Sequence, residues 1–293
     1  MTRSIHSATS IGAVHLTVTD LEPALTFYRA CLGFAVQHRE GSVVHLGAGG
    51  STLLVLVGEA DARTLRGTSG LYHFAVLLPS RQLLAAALRH LARTGTPLQG
   101  ASDHGVSEAL YLADPEGNGI EIYRDRPREE WPREGSRIAM VTDPLDVDDL
   151  LAEPEPADRG ALPPGTLIGH VHLRVADIAA AEAFYCGGLG FDLVTRYGAS
   201  ASFVSAGGYH HHIAFNTWAV RGAPAPPPGA AGLRHFEVRL PDEAARERVV
   251  EQVGAAGVPI GVTPGGLLVR DPSGNGVALT VAGLTPGSSP APS

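Results

Sequence analysis

The chain has 293 residues, a formal net charge of −8 and a sequence pI near 5.9. This length fits two domains that each bury a core, and the acidic balance argues against nucleic acid or an anionic membrane as a main partner. All 22 basic residues are arginine, which excludes mechanisms that use a lysine Schiff base or a lysine general base. Two cysteines, Cys31 and Cys186, suggest no disulfide framework. Because no segment has the pattern of a secretion signal or a membrane span, we expect a soluble, cytoplasmic protein.

The sequence nearly repeats itself. Each half contains two units of one kind, in which a strand and a helix are followed by further strands, and the predicted elements fall into four such units. The corresponding segments are residues 11–16 and 168–173, 27–34 and 184–191, 70–74 and 232–236, and 114–121 and 271–278.

The first two units fill the first half of the chain. Alternation of side-chain character over residues 13–18 predicts a half-buried strand, and Asp20 is placed to cap a helix whose apolar residues follow helical spacing to Tyr28. The second unit has a predicted helix over about residues 81–93. The further predicted strands of these units are 43–46, 52–56, 72–77, 108–112 and 119–123.

The last two units fill the second half. The third begins with a strand at Gly169 and continues with a helix near residues 179–185, and the fourth has a helix near residues 243–255. The second and fourth units each have an Asp-Pro-x-Gly-Asn-Gly segment before the last strand, a turn whose Gly and Asn residues tolerate left-handed backbone angles. The further predicted strands are 201–205, 211–216, 235–240, 266–270 and 276–281.

Composition divides the chain into two domains. Residues 8–131 are predicted to form the N-terminal domain and residues 166–283 the C-terminal domain, with two units in each. Residues 132–165 are rich in Pro, Asp and Glu and are predicted to form a linker with one short helical turn at residues 147–151. The last ten residues, 284–293, are predicted to be disordered.

The four units resemble the vicinal oxygen chelate superfamily, which includes glyoxalase I, bleomycin-resistance proteins and type I extradiol dioxygenases. Strand-opening histidines, Phe-Tyr-x-x-x-Leu-Gly-Phe helices and an Asp-Pro-x-Gly-Asn-x-x-Glu ending carry the resemblance. Residues 207–218, Gly-Gly-Tyr-His-His-His-Ile-Ala-Phe-Asn-Thr-Trp, are especially similar to two-domain catechol 2,3-dioxygenases of the CatE type. The resemblance covers almost the whole chain and implies an α+β fold of four βαβββ modules that form two glyoxalase- and extradiol-dioxygenase-like domains.

The resemblance also implies a metal site of two histidines and one carboxylate. Such enzymes hold Fe(II), occasionally Mn(II), on one face of the ion and leave three adjacent positions open for a catecholate and O2. In the superfamily the ligand histidine usually stands seven residues before the Asp that starts the helix, and this selects His170, whereas the other half has Ala13 at that place. The second unit supplies a strand-opening histidine and the closing acid. The implied ligand set is His73, His170 and Glu121.

This ligand set predicts a crossed pairing, with unit two beside unit three and unit one beside unit four. The complementary set, Ala13, His235 and Ala278, would hold no metal. An alternative keeps units one and two together and uses His15, His73 and Glu121 as ligands. The spacing favours the crossed pairing.

The family also has a catalytic histidine in a His-His-x-x-Ala-Phe pattern. Counting back three residues from Ala214 selects His211 as the acid/base group, while His210 and His172 are expected to line the substrate pocket. A neutral imidazole would take a catechol proton because its pKa lies near working pH. Since successive residues of a strand face opposite sides, at least one of residues 210–212 is expected to point away from the site. Leu53 stands at the matching place of the first half.

A tyrosine is the next residue that the resemblance implies for the site. In the family a tyrosine ten residues before the closing Glu hydrogen-bonds a substrate oxygen, and ten residues before Glu121 is Tyr111. A His-Gly-hydrophobic-Ser/Thr segment precedes it, which implies that His104 donates a hydrogen bond to the substrate. The seven-residue gap from His104 to Tyr111 is two shorter than the family's.

The function that the resemblance implies is Fe(II)-dependent extradiol cleavage of a catechol-type ring with O2. The expected partners are a small aromatic diol, O2 and further copies of the chain in a homo-oligomer. One alternative is another metalloenzyme of the superfamily, a hydroquinone dioxygenase or a glyoxalase-like isomerase, in which His211 would have to replace a fourth protein ligand. The other is a metal-free small-molecule binding protein of the bleomycin-resistance kind.

Overall fold

The computed structural model describes residues 4–135, 137–156, 161–263 and 265–283. It has the α+β class that the sequence predicts, with four units in which a strand and a helix are followed by three more strands. We number these units one to four along the chain. The tail predicted at 284–293 lies outside the described residues. None of the helices in the described ranges is long and apolar enough to cross a membrane.

Units one and two come from the first half of the chain. Side-chain caps begin their helices: Asp20 accepts a hydrogen bond from the backbone N–H of Glu22, and Ser80 accepts one from that of Leu83. The second helix ends at Gly95, whose φ of 65° is left-handed. The elements are β1 (Ser10–Val18), α1 (Leu21–Ala30), β2 (Ala35–Glu40), β3 (Val43–Ala48) and β4 (Ser51–Gly58), then β5 (Gly70–Leu77), α2 (Arg81–Thr94), β6 (Gly100–Asp103), β7 (Ser107–Ala113) and β8 (Gly119–Asp125).

The segment between the halves contains more regular structure than a linker. The helical turn predicted at residues 147–151 is confirmed, and three two-residue strands precede it. The third of these strands pairs with β6, so this segment adds an edge strand to a sheet of unit two. The elements are a 3-10 turn (Arg128–Glu130), β9 (Arg133–Glu134), β10 (Arg137–Ile138), β11 (Asp143–Pro144) and α3 (Val147–Leu151).

Units three and four come from the second half. The helix expected near residues 179–185 is a short α-helix that continues as a π-helical turn, in which the N–H of Leu189 bonds the carbonyl of Phe184 five residues earlier. The elements are β12 (Leu167–Arg174), α4 (Ile178–Glu182), the π turn (Ala183–Gly188), β13 (Asp192–Tyr197), β14 (Ala201–Ser205) and β15 (Ile213–Asn216), then β16 (Gly232–Leu240), α5 (Glu243–Ala255), β17 (Gly261–Thr263), β18 (Gly266–Arg270) and β19 (Gly276–Val281).

Both large sheets combine strands from the two halves. A nine-stranded sheet has the order β11-β6-β7-β8-β5-β12-β15-β14-β13, and an eight-stranded sheet has the order β17-β18-β19-β16-β1-β4-β3-β2. Antiparallel pairing of β5 with β12 and of β1 with β16 joins the halves. The crossed pairing of units two with three and one with four is therefore confirmed. The proposed domains, residues 8–131 and 166–283, exchange units and do not form separate sheets.

The repeated turns tie neighbouring units together. The fully buried Tyr28 of unit one donates its hydroxyl to Asp114 in the turn of unit two, at 2.8 Å. Tyr185 of unit three donates in the same way to Asp271 of unit four, at 3.0 Å. Each of these Asp carboxylates also accepts a hydrogen bond from a backbone N–H of its own turn. The tyrosine and the ordered turn therefore connect the two sheets in each half of the chain.

Candidate metal centre

Three side chains from three strands converge on the nine-stranded sheet. His73 lies on β5, Glu121 on β8 and His170 on β12, and one ligand atom of each lies within 4.8 Å of the others. Glu121 Oε2 is 3.1 Å from His73 Nε2 and 3.0 Å from His170 Nε2. The three residues are 7%, 2% and 1% exposed, so the group is closed off from bulk solvent on most sides.

Ladder register explains why these residues meet. Ala75 on β5 is the partner of Glu121 on one side and of His170 on the other. Because Ala75 carries only a methyl group, the two long side chains can approach each other across it. His73 is two residues away on the same strand face and joins them.

A bulge in β12 aims His170 at this point. The register of β12 against β5 shifts between Ile168 and His170. A Cβ at the intervening Gly169 would lie 1.8 Å from the hydroxyl oxygen of Tyr123, so only glycine fits. The chain can fold this way because residue 169 has no side chain at the point where the buried Tyr123 packs against the strand.

The electrostatics of the group suit a cation. Burial alone would raise the pKa of Glu121, but the charges and hydrogen bonds of His170 and His73 hold it well below its usual value. Burial lowers the pKa of His73, although Glu121 opposes this shift. An ionised carboxylate and a neutral imidazole are the protonation states that a metal requires of such ligands. Two imidazole nitrogens and one carboxylate also form a donor set that fits Fe(II) or Mn(II).

The residue expected to act as acid/base lies beside this group. The ring of His211 is 4.1 Å from that of His170, measured between centroids. Its Nδ1 is 2.8 Å from Nδ1 of His210, whose Nε2 is 2.9 Å from Oδ1 of Asp125. Since a carboxylate can only accept, His210 donates through Nε2, and the neutral form of its ring accepts through Nδ1. His211 must then donate through Nδ1, which leaves its Nε2 as a free acceptor.

His210 and His212, on either side of His211, do not lie where the sequence predicted. The strand expected at 211–216 begins at Ile213, so residues 210–212 lie in the preceding turn. His210 has no exposed surface and supports His211 from behind, which corrects its expected place in the substrate pocket. Nδ1 of His212 accepts a hydrogen bond from the N–H of Ala206, so this side chain points away from the site.

Ladder register also corrects the expected match between Leu53 and His211. Leu54 pairs with Val14 on β1, and Ile213 pairs with Val171 on β12. Counting back from these pairs, Leu53 corresponds to His212, and Thr52 corresponds to His211. The loop before β15 has one residue more than sequence spacing indicated, and neither residue of the first half is a histidine.

Tyr111 and His104 form a hydrogen-bonded pair at the edge of the group. Nδ1 of His104 is 2.8 Å from the carbonyl oxygen of Val141 and must donate to it. Its Nε2 is 2.7 Å from the hydroxyl oxygen of Tyr111. His104 is thus hydrogen-bonded to the tyrosine, and its expected role as a donor to substrate stays a prediction. Burial, together with the charge of Glu121, raises the pKa of Tyr111 well above its usual value.

An aromatic wall continues from the ligands toward solvent. His172 is buried, and its ring lies 4.9 Å from that of His73, where the sequence placed it. Its Nε2 bonds the side-chain amide of Asn216 at 2.8 Å. Sequence reasoning missed the other members of the wall, although Tyr72 stands beside His73 and Arg174 stands two residues after His172, which was a usable signal for these two. The other members are Tyr72, Phe203, Trp218 and Arg174.

The eight-stranded sheet has no second ligand group among the described residues. His15 stacks on His235 there, with ring centroids 4.0 Å apart, and its Nε2 is 3.3 Å from Oε1 of Glu237. Since His15 and His73 belong to different sheets, the alternative set of His15, His73 and Glu121 is wrong.

The chain is similar in sequence to one characterised class of enzyme. It is 46% identical over 275 residues to the catechol-2,3-dioxygenase of Bacillus subtilis (strain 168), and the match covers 92% of this chain and 96% of that protein. Among solved structures, one from Bacillus subtilis subsp. subtilis str. 168 has a TM-score of 0.66 at 14% identity and covers 97% of this chain and 87% of its own.

A family model and a second solved structure agree with the fold. Glyoxalase I from Zea mays has a TM-score of 0.56 at 15% identity and covers 93% of this chain and 92% of its own. The model described as Glyoxalase/Bleomycin resistance protein/Dioxygenase superfamily matches residues 10–122 and 167–279. These two stretches contain all three converging side chains and most of both sheets. The chain therefore belongs to the glyoxalase/bleomycin resistance protein/dioxygenase superfamily.

Proposed function

We propose that this protein is an extradiol dioxygenase that cleaves a catechol-type aromatic ring with O2. The observation that carries the proposal is the convergence of His73, Glu121 and His170 within 4.8 Å, with a histidine base against them. The 46% identity to a catechol-2,3-dioxygenase supports a catechol as the substrate class.

We propose Fe(II) as the metal, with Mn(II) as the second choice. His73, His170 and Glu121 would hold such an ion through two imidazole nitrogens and one carboxylate. When bound, the metal would supply Lewis acidity toward the diol oxygens and the electron needed for O2 chemistry. The protein's part is to hold these three ligands in place, which ladder register and burial accomplish.

The base that removes a catechol proton is His211. Burial, followed by the charge of His170, holds the pKa of His211 well below its usual value, so the ring is neutral at working pH. The chain from Asp125 through His210 fixes its tautomer, with the free lone pair on Nε2. A neutral, oriented imidazole can accept the hydroxyl proton of a diol bound beside the ligands.

Tyr111 orients the substrate, and the aromatic wall excludes water. The hydroxyl oxygen of Tyr111 has two lone pairs, so beside its hydrogen bond with His104 it can accept one from a substrate hydroxyl. The rings of Tyr72, His172 and Trp218 lie beside the ligands with centroids 5.0 to 5.7 Å apart, and Tyr72 meets each of the other two edge to face. A flat aromatic substrate can pack against such a wall.

The test is turnover of a catechol panel by metal-loaded protein. The purified chain is loaded with Fe(II) or Mn(II) without O2, its metal content is measured, and catechol and its alkyl derivatives are then added in air. We expect uptake of one O2 per catechol and a coloured ring-fission product. A protein that holds metal but turns over no catechol would overturn the proposal.

A further inference from the structure

Arg174 is a half-buried cation near the candidate metal centre, at the end of β12. Its Nη1 donates to the carbonyl of Leu71 at 2.7 Å, and its guanidinium carbon lies 5.2 Å from the ring centroid of Tyr72. No carboxylate of the described residues forms an ion pair with it, and burial lowers its pKa below the ordinary value. Most of its five N–H donors are therefore without a protein partner in the described part of the chain.

Arg174 lies on the strand face that also carries two histidines of the site. His170, His172 and Arg174 alternate along one strand, so their side chains leave the same face. Tyr72, which packs under the guanidinium, also contacts His73 and His172. The ring of Tyr72 thus lies between Arg174 and the candidate ligands. The neighbouring Trp218 is 39% exposed, so this edge of the site is open to solvent.

The eight-stranded sheet provides an internal comparison. Thr17 pairs with Gly232 there, as Arg174 pairs with Gly70 in the nine-stranded sheet, so Thr17 and Arg174 occupy matching places. The rim cation of that sheet is Arg234, which donates to the hydroxyl of Thr17 at 2.9 Å and forms an ion pair with Glu59.

The counterparts of that ion pair are aromatic in the nine-stranded sheet. Tyr72 stands at the place of Arg234, and register along the parallel ladders puts Trp218 at the place of Glu59. In the eight-stranded sheet the rim cation Arg234 is therefore paired with Glu59. In the nine-stranded sheet Arg174, the rim cation beside the candidate metal centre, has no such partner among the described residues.

We propose that Arg174 binds a carboxylate carried by the aromatic ring of the substrate, so that the preferred substrate is a catechol with an acidic substituent. This inference rests on the proposed dioxygenase function and names its substrate class. Four residues of strand separate the Cα atoms of His170 and Arg174, about 13 Å at the usual rise. A catechol ring with a short carboxylate arm and an arginine side chain together span this distance.

A carboxylate would convert an unpaired guanidinium into a charge-assisted, two-point hydrogen bond. Such bonds are among the stronger polar interactions in proteins, and solvent screens a partly buried pair less than an exposed one. We therefore expect the acid to bind about tenfold or more tightly than a neutral analogue of the same size.

The test compares 3,4-dihydroxyphenylacetate with its methyl ester, which has the same ring and arm but no charge. Binding of each to the Fe(II)-loaded protein is measured by calorimetry without O2, so that no turnover occurs. We expect the wild type to bind the acid at least about tenfold more tightly. Arg174→Gln keeps a donor for the Leu71 carbonyl but not the charge, and should lose this preference while binding the ester as before.

Arg234→Gln is the matched control, since it removes the rim cation of the other sheet, and it should keep the preference for the acid. Equal affinity of the wild type for acid and ester, or an unchanged preference in Arg174→Gln, would overturn the inference. If neutral catechols are bound and cleaved in that case, the dioxygenase proposal stands and only the substrate class fails. If the loaded protein neither binds nor cleaves any catechol, both proposals fail.

Discussion

Glu237 is the ladder neighbour of Ala278 in the eight-stranded sheet. At the matching place of the nine-stranded sheet the neighbours are Ala75 and Glu121, so alanine and glutamate have exchanged strands. The exchange redirects the carboxylate: Glu237 accepts a hydrogen bond from the N–H of Ala13 at 3.1 Å, and the residue at that place in the other sheet is the candidate ligand His170. Each sheet keeps an acid at this pair of strands, but of the two only Glu121 contacts two imidazoles.

This exchange predicts one metal ion per chain. Glu121→Ala should weaken metal binding by about 100-fold or more, because it removes the only anionic ligand of the candidate set. Glu237→Ala should leave the metal content unchanged. Equilibrium dialysis against Fe(II) or Mn(II), followed by elemental analysis, measures both. A second equivalent in the wild type, or metal loss in Glu237→Ala, would contradict the assignment.

Replacing the proposed base should slow the chemical step without releasing the metal. His211→Asn is expected to lower kcat by about 10² to 10⁴, the range typical of a lost acid/base group, while metal content stays at the wild-type level. His212→Asn is the control, since this side chain bonds the Ala206 backbone and points away. Steady-state kinetics with catechol separate the two variants. Equal losses of kcat in both would show that the turn has a structural role only.

Asp125 is predicted to position the base through His210. In Asp125→Asn the new amide can donate to His210 Nε2, which would reverse both hydrogen bonds of the chain and place the proton of His211 on Nε2. We expect kcat to fall about 100-fold with little change in KM. Asp125→Glu should restore part of the rate, and Asp143→Asn, an exposed carboxyl, should have no effect.

A simple loss of packing would give a different result for Asp125. Asp125 also accepts a hydrogen bond from Tyr209 at 2.9 Å, so a structural defect would lower the melting temperature. A kcat loss that follows the melting temperature across the three variants would therefore count against the positioning role.

The histidine pair of the eight-stranded sheet predicts a pH effect on stability. Burial, and then the charge of His15, lower the pKa of His235 to about 3 from 6.5. Between these values the unfolded chain binds a proton that the folded chain does not, so stability falls as pH falls. From pH 8 to pH 5, His235→Gln should gain about 2 kcal/mol relative to the wild type in urea unfolding. If the difference in unfolding free energy between His235→Gln and the wild type did not change with pH, the lowered pKa of His235 would be excluded.

Local elements of this fold were predictable because their signals are local. Strand β14 and helix α5 have the predicted limits, and Asp242 caps α5 by accepting the N–H of Ala245. His170 was selected because the resemblance implies a ligand histidine seven residues before the helix-starting Asp177, and a strand and a capped helix leave little freedom between them. Such spacings depend only on residues that are close in the chain.

The support of the site was not predictable for the opposite reason. Asp125 and His210 are 85 residues apart and come from different units, and nothing local marks them as partners. The match of Leu53 with His211 was off by one residue because a loop length differs between the repeats, which only ladder register reveals. The π turn after α4 has the same apolar spacing as an α-helix, so periodicity does not distinguish the two.

The crossed pairing also sets an order of events during synthesis. The first half of the chain leaves the ribosome with β1 and β5 unpaired on one side, because their antiparallel partners, β16 and β12, lie in the second half. Such open edges invite association with other chains until they are covered. His73 and Glu121 emerge early, whereas His170 emerges with the strand that closes the nine-stranded sheet. A metal ion that needs all three is thus captured only after both halves have met, and its presence marks a finished molecule.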